Sequence, residues 1–346
     1  MAVPGSSMGE FPISSGFRRI VVSLGLHDAL SGRHLLLTGG TGFFGRWLLA
    51  LLSLLNRQGV GVTVTVLSRN PERFLAAQPV FCKYAWLQWL RGDVRELQNI
   101  SIKPVDLIIH GAADTSVMGN AQPLELFDTI VNGSRRVLDL AVHSGCTRVL
   151  LTGSGAQYGS LPNSSGVLEG YTGACMSNAI SSVYGEAKRA QETLGIIYAK
   201  NQGVDVVMTR CFSFSGAGLP LGGHFAIGNF VRDALLSSEV VLNSNGKAVR
   251  SYLHGADLAV WLLTLLVRGE SGTAYNVGSD QAISIADLAR RVIARLAPEK
   301  PLRILGRAEE ASRSFYIPDI SKAKALGLDV WTSLDESIDS MAGWVR

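Results

Sequence analysis

The chain has 346 residues, 47% hydrophobic and 17% charged, with 32 basic and 28 acidic side chains for a net charge of +4. So small and dispersed a charge, with no run of five like charges, argues against nucleic acid as a partner. The length suits one large α/β unit or a dinucleotide-binding domain with a smaller companion.

Residues 1–30 read as a loosely held extension, Gly/Ser-rich at its start and helical over residues 17–30. No small-residue cleavage site follows the apolar residues 20–26, so a secretory leader is not expected. An α/β rhythm begins at residue 31. His34-Leu35-Leu36-Leu37 suits a buried parallel strand, Thr38-Gly39-Gly40-Thr41-Gly42-Phe43-Phe44-Gly45 a glycine turn, and residues 46–55 a leucine-rich helix. Strand, turn and helix in succession make a dinucleotide cradle. Gly39 permits the tight bend, Gly42 lets backbone approach a pyrophosphate, and Gly45 lets the helix pack on the strand. The helix N-terminus offers its N–H groups to the phosphates.

Further strands are expected at residues 62–67, 105–110, 148–152 and 204–209, and helices at 124–144 and 183–200. Such alternation means parallel pairing through right-handed crossovers, so the fold class is α/β, with a doubly wound, Rossmann-like parallel sheet over residues 31–210. After Arg210 the pattern becomes irregular, with amphipathic helices at 229–236, 256–267 and 284–296, the last opening on a Ser284/Asp287 capping box. Residues 211–346 read as a smaller substrate-binding α/β lobe, and the chain crosses back between the two units. The longest uncharged apolar run of this half, residues 258–267, is too short to span a bilayer, so no membrane partner is expected. Cys82, Cys146, Cys175 and Cys211 lack ligand spacing and read as reduced thiols of a cytoplasmic protein. His143, His224 and His254 read as structural or surface residues, with no metal expected. Trp86 and Trp89 read as packing residues.

Tyr184 and Lys188 lie four apart on one helix face. A free phenol, with a pKa of about 10, is a poor base at neutral pH, and a neighbouring cation favours its ionised form. Tyr184 is therefore the candidate acid/base for a hydroxyl whose carbon exchanges hydride with a nicotinamide. Ser154 follows the strand at 148–152, at the carboxyl end where open α/β sheets hold ligands, and could orient the same oxygen. At the end of the second strand stand Ser68 and Arg69, with no acid to accept from ribose hydroxyls. A hydroxyl and a fork-shaped cation suit a 2′-phosphate, which favours NADP, with NAD as the alternative.

Together these residues resemble the extended short-chain dehydrogenase/reductases, specifically the NAD-dependent epimerase/dehydratase group acting on nucleotide sugars. The resemblance covers roughly residues 33–330. It rests on the Thr38–Gly45 loop, Gly92-Asp93-Val94, His110-Gly111-Ala112-Ala113, Val131-Asn132-Gly133-Ser134, the Ser154/Tyr184/Lys188 set, Arg250 with Asp257, and Tyr275-Asn276-Val277-Gly278. It implies that Asp93 and Val94 meet the adenine and that Ala112 and Ala113 flank the cofactor, as do Thr41, Phe43, Phe44 and Gly45 of the loop. It further implies that Lys188 holds the nicotinamide ribose, that Arg250 meets a sugar-nucleotide diphosphate, and that the chain forms a homodimer through two helices per subunit.

Two departures bear on the reaction. Dehydratases of the group carry Asp-Glu or Asp-Lys after the catalytic Ser/Thr, whereas this chain has Gly155 and Ala156, which can neither remove nor supply a proton. Ser213 stands where the group often has a sugar-diphosphate-binding asparagine. The expectation is hydride transfer at C4 of a nucleotide-linked hexose, as a 4-ketoreductase or 4-epimerase. The alternatives are a 4,6-dehydratase with a displaced acid such as Asp114, and a non-catalytic NAD(P)-binding sensor or scaffold.

Overall fold

The apolar runs pair into a single seven-stranded sheet. The computed structural model describes residues 11, 13–113, 122–161, 165–223, 225–306 and 314–345, so Asp114 and His224 lie outside the described residues. The first six strands are β1 (His34–Thr38), β2 (Thr63–Ser68), β3 (Leu87–Arg91), β4 (Leu107–His110), β5 (Arg148–Ser154) and β6 (Asp205–Cys211). Helices α1 (Phe17–Ser23), α2 (Leu26–Leu30), α3 (Phe43–Arg57), α4 (Pro71–Ala77), α5 (Pro123–Ser144) and α6 (Val183–Asn201) precede or connect them. The seventh strand, Ala274–Val277, comes from the stretch assigned to the second lobe and pairs with β6. Across the sheet the order is Ala274–Val277, β6, β5, β4, β1, β2, β3, with every pairing parallel.

Period-two alternation decides which face each strand residue covers. Leu35 and Leu37 enter the core shared with α3 and the helix Gly255–Arg268, while Leu36 enters the core shared with α5. Both covering helices on the first face are almost entirely apolar and buried, as a helix held between sheet and further layers must be. The parallel register brings the carboxyl ends of β1, β2, β4, β5 and β6 to one edge: Thr38 lies opposite both Leu67 and His110, and Ser154 opposite Cys211.

Two regions differ from the sequence expectation. Residues 17–30 are bound firmly rather than loosely, because Phe17, Val21, Leu24, Leu26 and Leu30 are all buried in the core shared with α3. Phe11 packs edge-on to Trp47 at 4.9 Å and against Trp344 at 4.5 Å. The second difference is β3, which lacks clean alternation because it is an edge strand whose outer surface is an aromatic cluster. Trp89 packs at a tilt against Phe74 at 5.1 Å, and Trp86 stacks on Tyr84 at 5.0 Å, so both tryptophans pack.

The second lobe is built on helices Ala226–Leu236, Ile285–Leu296 and Leu334–Val345, which share a core of Phe230, Val231, Leu288, Val292, Ile338 and Met341. The capping box is present: the Asp287 N–H donates to Ser284 Oγ at 3.0 Å. Among the described residues no helix is long and apolar enough to cross a membrane.

Candidate active site

The strand ends and the glycine turn open one cleft of about 910 Å³. Gly39 sits at φ +76°, and a Cβ there would lie 2.4 Å from the Gly111 carbonyl oxygen, so only glycine permits this bend so close to the end of β4. Gly42 caps α3 without a side-chain hydrogen bond, leaving the first N–H groups of the helix to face the cleft. Thr41, Phe43 and Phe44 also line it. Gly45 does not: it packs on Gly40, where a Cβ would approach to 2.3 Å, so it serves the helix–strand contact rather than touching a ligand.

At the β5 end the cleft is lined by Ser154, Tyr184 and Lys188, from the end of β5 and the first turns of α6. Ser154 is fixed from both sides. Its hydroxyl accepts from the Ala156 N–H at 3.2 Å, and its own N–H donates to Gln157 Oε1 at 2.9 Å. Gln157 in turn donates to Glu192, which holds Arg210 through bonds of 3.0 and 2.6 Å. Burial pushes the Tyr184 phenol up to about 12, an effect partly offset by a hydrogen bond with the Ser154 hydroxyl. Burial pulls the Lys188 ammonium down to about 8, with Cys211 acting weakly the other way. Lys188 is not among the groups that shift the phenol: its ammonium donates instead to the Thr152 carbonyl at 2.6 Å and to Gln191 Oε1 at 3.1 Å. The expected lowering of Tyr184 by Lys188 is therefore absent from this geometry. At neutral pH the phenol keeps its proton, and the site presents a proton donor.

At the opposite end the cleft is bounded by Ser68, Arg69, Asp93 and Val94, while Ala112 and Ala113, just after β4, line it between the two ends, Ala113 packing in one cluster with Tyr184. Asn70 caps α4, accepting from the Arg73 N–H at 2.9 Å, and so holds the loop that carries Arg69. Arg73, on the first turn of α4, adds a second exposed guanidinium to this wall. Asp93 lies here, but its carboxylate is clasped by Arg95 through bonds of 3.0 and 2.8 Å, which hold it below the usual carboxylate range. Its neighbour Val94 packs against Gly133 of α5. The cradle, its uncapped helix end and these cations suit a dinucleotide.

Ser213 and Arg250 lie away from this cleft, in the wall of a second cavity of about 700 Å³ that also holds Arg232 and Tyr252. The two cavities share Phe212, Phe214 and Phe225, so they adjoin across an aromatic wall. Arg250 Nη1 donates to the Val249 carbonyl at 2.8 Å and to Ser314 Oγ at 3.1 Å, and its guanidinium lies 5.7 Å from the Tyr316 ring centre. Asp257 plays no part in either cavity. It is buried and accepts from the Trp331 and Thr332 N–H groups at 3.0 Å each, pinning the segment before the last helix.

Sequence reasoning missed Tyr316. Its ring packs on Phe212 at 4.7 Å, and burial raises its phenol well above the ordinary range, an effect partly offset by the neighbouring Ser154 side chain. A Cβ at residue 155 would lie 2.7 Å from the Tyr316 hydroxyl oxygen, so the glycine there makes room for a second phenol. Nothing local to Tyr316 marks it, because its neighbours in the site, residues 154, 155, 184 and 212, are all more than 100 residues away in sequence. Gln191 was also missed, although its place three residues after Lys188 was a readable signal. Among the described residues no three metal-binding side chains converge.

A model of the NAD-dependent epimerase/dehydratase family matches residues 35–278. The UDP-glucuronic acid decarboxylase 6 of Arabidopsis thaliana is 26% identical over 313 residues, covering 90% of this chain and 88% of that protein. The UDP-glucose 4-epimerase of Thermotoga maritima, solved with UDP-glucose, superposes with a TM-score of 0.76 at 21% identity, covering 90% of this chain and 98% of that one. A dTDP-glucose 4,6-dehydratase from Streptomyces venezuelae, solved with NAD bound, gives a TM-score of 0.77 at 24% identity, covering 90% and 97%. With the glycine turn, the parallel sheet and the Ser/Tyr/Lys set in place, the chain belongs to the NAD-dependent epimerase/dehydratase family, the nucleotide-sugar branch of the extended short-chain dehydrogenase/reductases.

Proposed function

We propose that the chain transfers hydride at C4 of a nucleotide-linked hexose, acting as a 4-ketoreductase or a 4-epimerase. The observation that carries this reading is the convergence of Ser154, Tyr184 and Lys188 on the cleft opened by the glycine turn. A bound nicotinamide nucleotide supplies the hydride chemistry. Tyr184 gives or takes the proton of the C4 oxygen, Ser154 orients that oxygen, and Lys188 holds the nicotinamide ribose. A phenol that keeps its proton at neutral pH suits delivery of a proton to a ketone, which favours the reducing direction.

Elimination is disfavoured. Gly155 and Ala156 carry no acid or base, and the Tyr316 hydroxyl occupies the space a side chain at 155 would need. For the cofactor, Ser68, Arg69 and Arg73 at one end of the cleft support NADP over NAD, since a 2′-phosphate rewards paired guanidiniums. For the substrate, Arg232 and Arg250 in the adjoining cavity offer cations to a diphosphate, and Phe214, Phe225 and Tyr252 offer aromatic walls to a base.

The test is a panel of UDP- and dTDP-linked hexoses and their 4-keto derivatives, incubated with NADPH or NADH. Stoichiometric NADPH oxidation with reduction at C4 selects the reductase. Inversion at C4 without net consumption selects the epimerase. The panel includes UDP-glucuronic acid, because a ketone at C4 would make its carboxyl a β-keto acid; release of carbon dioxide would replace the proposal with decarboxylation. Cofactor binding without turnover on any substrate would leave a non-catalytic binding protein.

A further inference from the structure

Behind the cleft runs a chain of buried polar groups that the proposed chemistry does not by itself require. His110, Ser134, Gln191 and Lys188 are all 2% exposed or less. Lys188 Nζ donates to Gln191 Oε1 at 3.1 Å, and Gln191 Nε2 donates to Ser134 Oγ at 2.7 Å. The Ser134 hydroxyl gives its own proton to the Ile130 carbonyl one turn earlier in α5. It must therefore accept from His110 Nε2, at 3.0 Å, which fixes that imidazole as the Nε2–H tautomer. His110 Nδ1 then accepts from Thr38 Oγ1 at 2.7 Å, and Thr38 Oγ1 accepts from the Gly111 and Ala112 N–H groups at 3.2 Å each. Each of these bonds has a determined direction.

We propose that Gln191 is a positioning residue for Lys188: its amide carbonyl holds the ammonium while its amide N–H, anchored through Ser134 and His110 on Thr38, ties that ammonium to the strand end from which the glycine turn springs. A leucine or methionine would fill the same volume, and burying an amide is costly unless both of its ends are bonded. Both ends are. Lys188 has four rotatable bonds and three donors. Thr152 and Gln191 take two of these donors and leave the third for the cleft that Lys188 lines. The amide thus converts a flexible side chain into a fixed donor whose height follows the loop that cradles the dinucleotide.

The inference takes Lys188 to be a cleft-facing ammonium, as in the function proposed above, but its test needs no turnover. The titratable groups facing Lys188 are Tyr184 on its own helix, His110 on β4 and Cys211 on β6. Burial holds His110 down to about 3, Cys211 up to about 11 and Tyr184 up to about 12, so none of them changes charge near the Lys188 midpoint of about 8. Protein labelled with ¹³C at lysine Cε is titrated by NMR, the Lys188 signal being identified by its loss in Lys188→Arg. Gln191→Met removes an acceptor from the charged form and should lower the midpoint by about one pH unit. Gln191→Glu adds a charged acceptor and should raise it. Melting temperatures establish that each variant is folded. A midpoint unchanged in both, or moved the same way in both, overturns the proposal. If Gln191→Met does not fold, Gln191→Glu decides, since a midpoint that fails to rise overturns it. Failure of the sugar panel would leave this result untouched, so the two readings fail separately.

Discussion

The two ends of the cleft are built on opposite principles. At the β5 end, Ser154 and Lys188 are buried, and Gln157, Gln191, Ser134 and His110 behind them are linked by hydrogen bonds of fixed direction. At the β2 end, Arg69 and Arg73 stand exposed on a loop and the first turn of a short helix. Chemistry on a hydroxyl needs a proton donor whose position and ionisation are fixed before substrate arrives, and burial supplies both. Recognition of a phosphate needs only charge of the right sign within reach, which solvated guanidiniums provide without a large desolvation cost. The buried end should therefore be intolerant of change and insensitive to salt, and the exposed end the reverse.

The largest expected break is Tyr184→Phe, which removes the proton donor. Turnover on the substrate identified by the panel should fall about 10³-fold, a typical contribution from general acid–base catalysis, with NADP affinity measured by calorimetry nearly unchanged. Retained turnover would move the acid elsewhere. Next is Gly155→Ala. Its Cβ would lie 2.7 Å from the Tyr316 hydroxyl oxygen and 2.9 Å from the Phe212 ring, and overpacking of this kind costs about 1–3 kcal/mol, read as a lowered Tm. Adding Tyr316→Phe should restore part of the loss, and no recovery would mean the clash lies with Phe212 alone. At the exposed end, Arg69→Ala should weaken NADP binding about tenfold with NAD little affected. That loss should shrink in high salt, as screening of an exposed cation requires. Equal loss of both cofactors would remove the case for a 2′-phosphate.

The smallest effect is a slope. His110 is buried and neutral, with its pKa lowered from 6.5 to about 3, so below pH 6.5 the unfolded chain takes up a proton that the folded chain refuses. Its contribution to stability is complete above 6.5 and falls as pH drops towards 3, by on the order of 1 kcal/mol per pH unit. His254 acts in the same direction and Asp257, raised to about 6, acts against it, so the comparison must be between wild type and His110→Gln. Denaturant unfolding between pH 6.5 and 4 should show a flatter pH dependence in the variant. Parallel curves would mean that the imidazole is not buried in its neutral form.

What the sequence disclosed and what it hid divide along contact distance. The glycine turn, the strands and the Ser154/Tyr184/Lys188 set were legible because each is local: a run of apolar residues, a spacing of four, a hydroxyl at a strand end. Gly45 reads in sequence both as a packing residue and as a cofactor contact, because sequence does not say on which side of a turn a missing side chain falls; the structure places it against Gly40. For Ser213 and Arg250 the resemblance implies contact with a sugar-nucleotide diphosphate; the structure places both in a cavity that adjoins the main cleft rather than forming part of it. Tyr316 and the link from Gln191 to His110 were invisible, since they join elements whose proximity is set only by the completed sheet. The firm packing of residues 17–30 is hidden for a similar reason. The Gly/Ser-rich start of the chain suggests looseness, whereas Phe17, Val21 and Leu26 supply core that α3 cannot fill alone.

The late arrival of the seventh strand has a consequence for how this molecule is made. Residues 212–273 must all be synthesised before Ala274–Val277 can pair with β6, and until then β6 presents a free backbone edge of valine-rich strand. A nascent chain halted in that interval would carry an open template for strand addition by its neighbours. Truncations ending between these residues should therefore aggregate, while the full-length chain closes its own border.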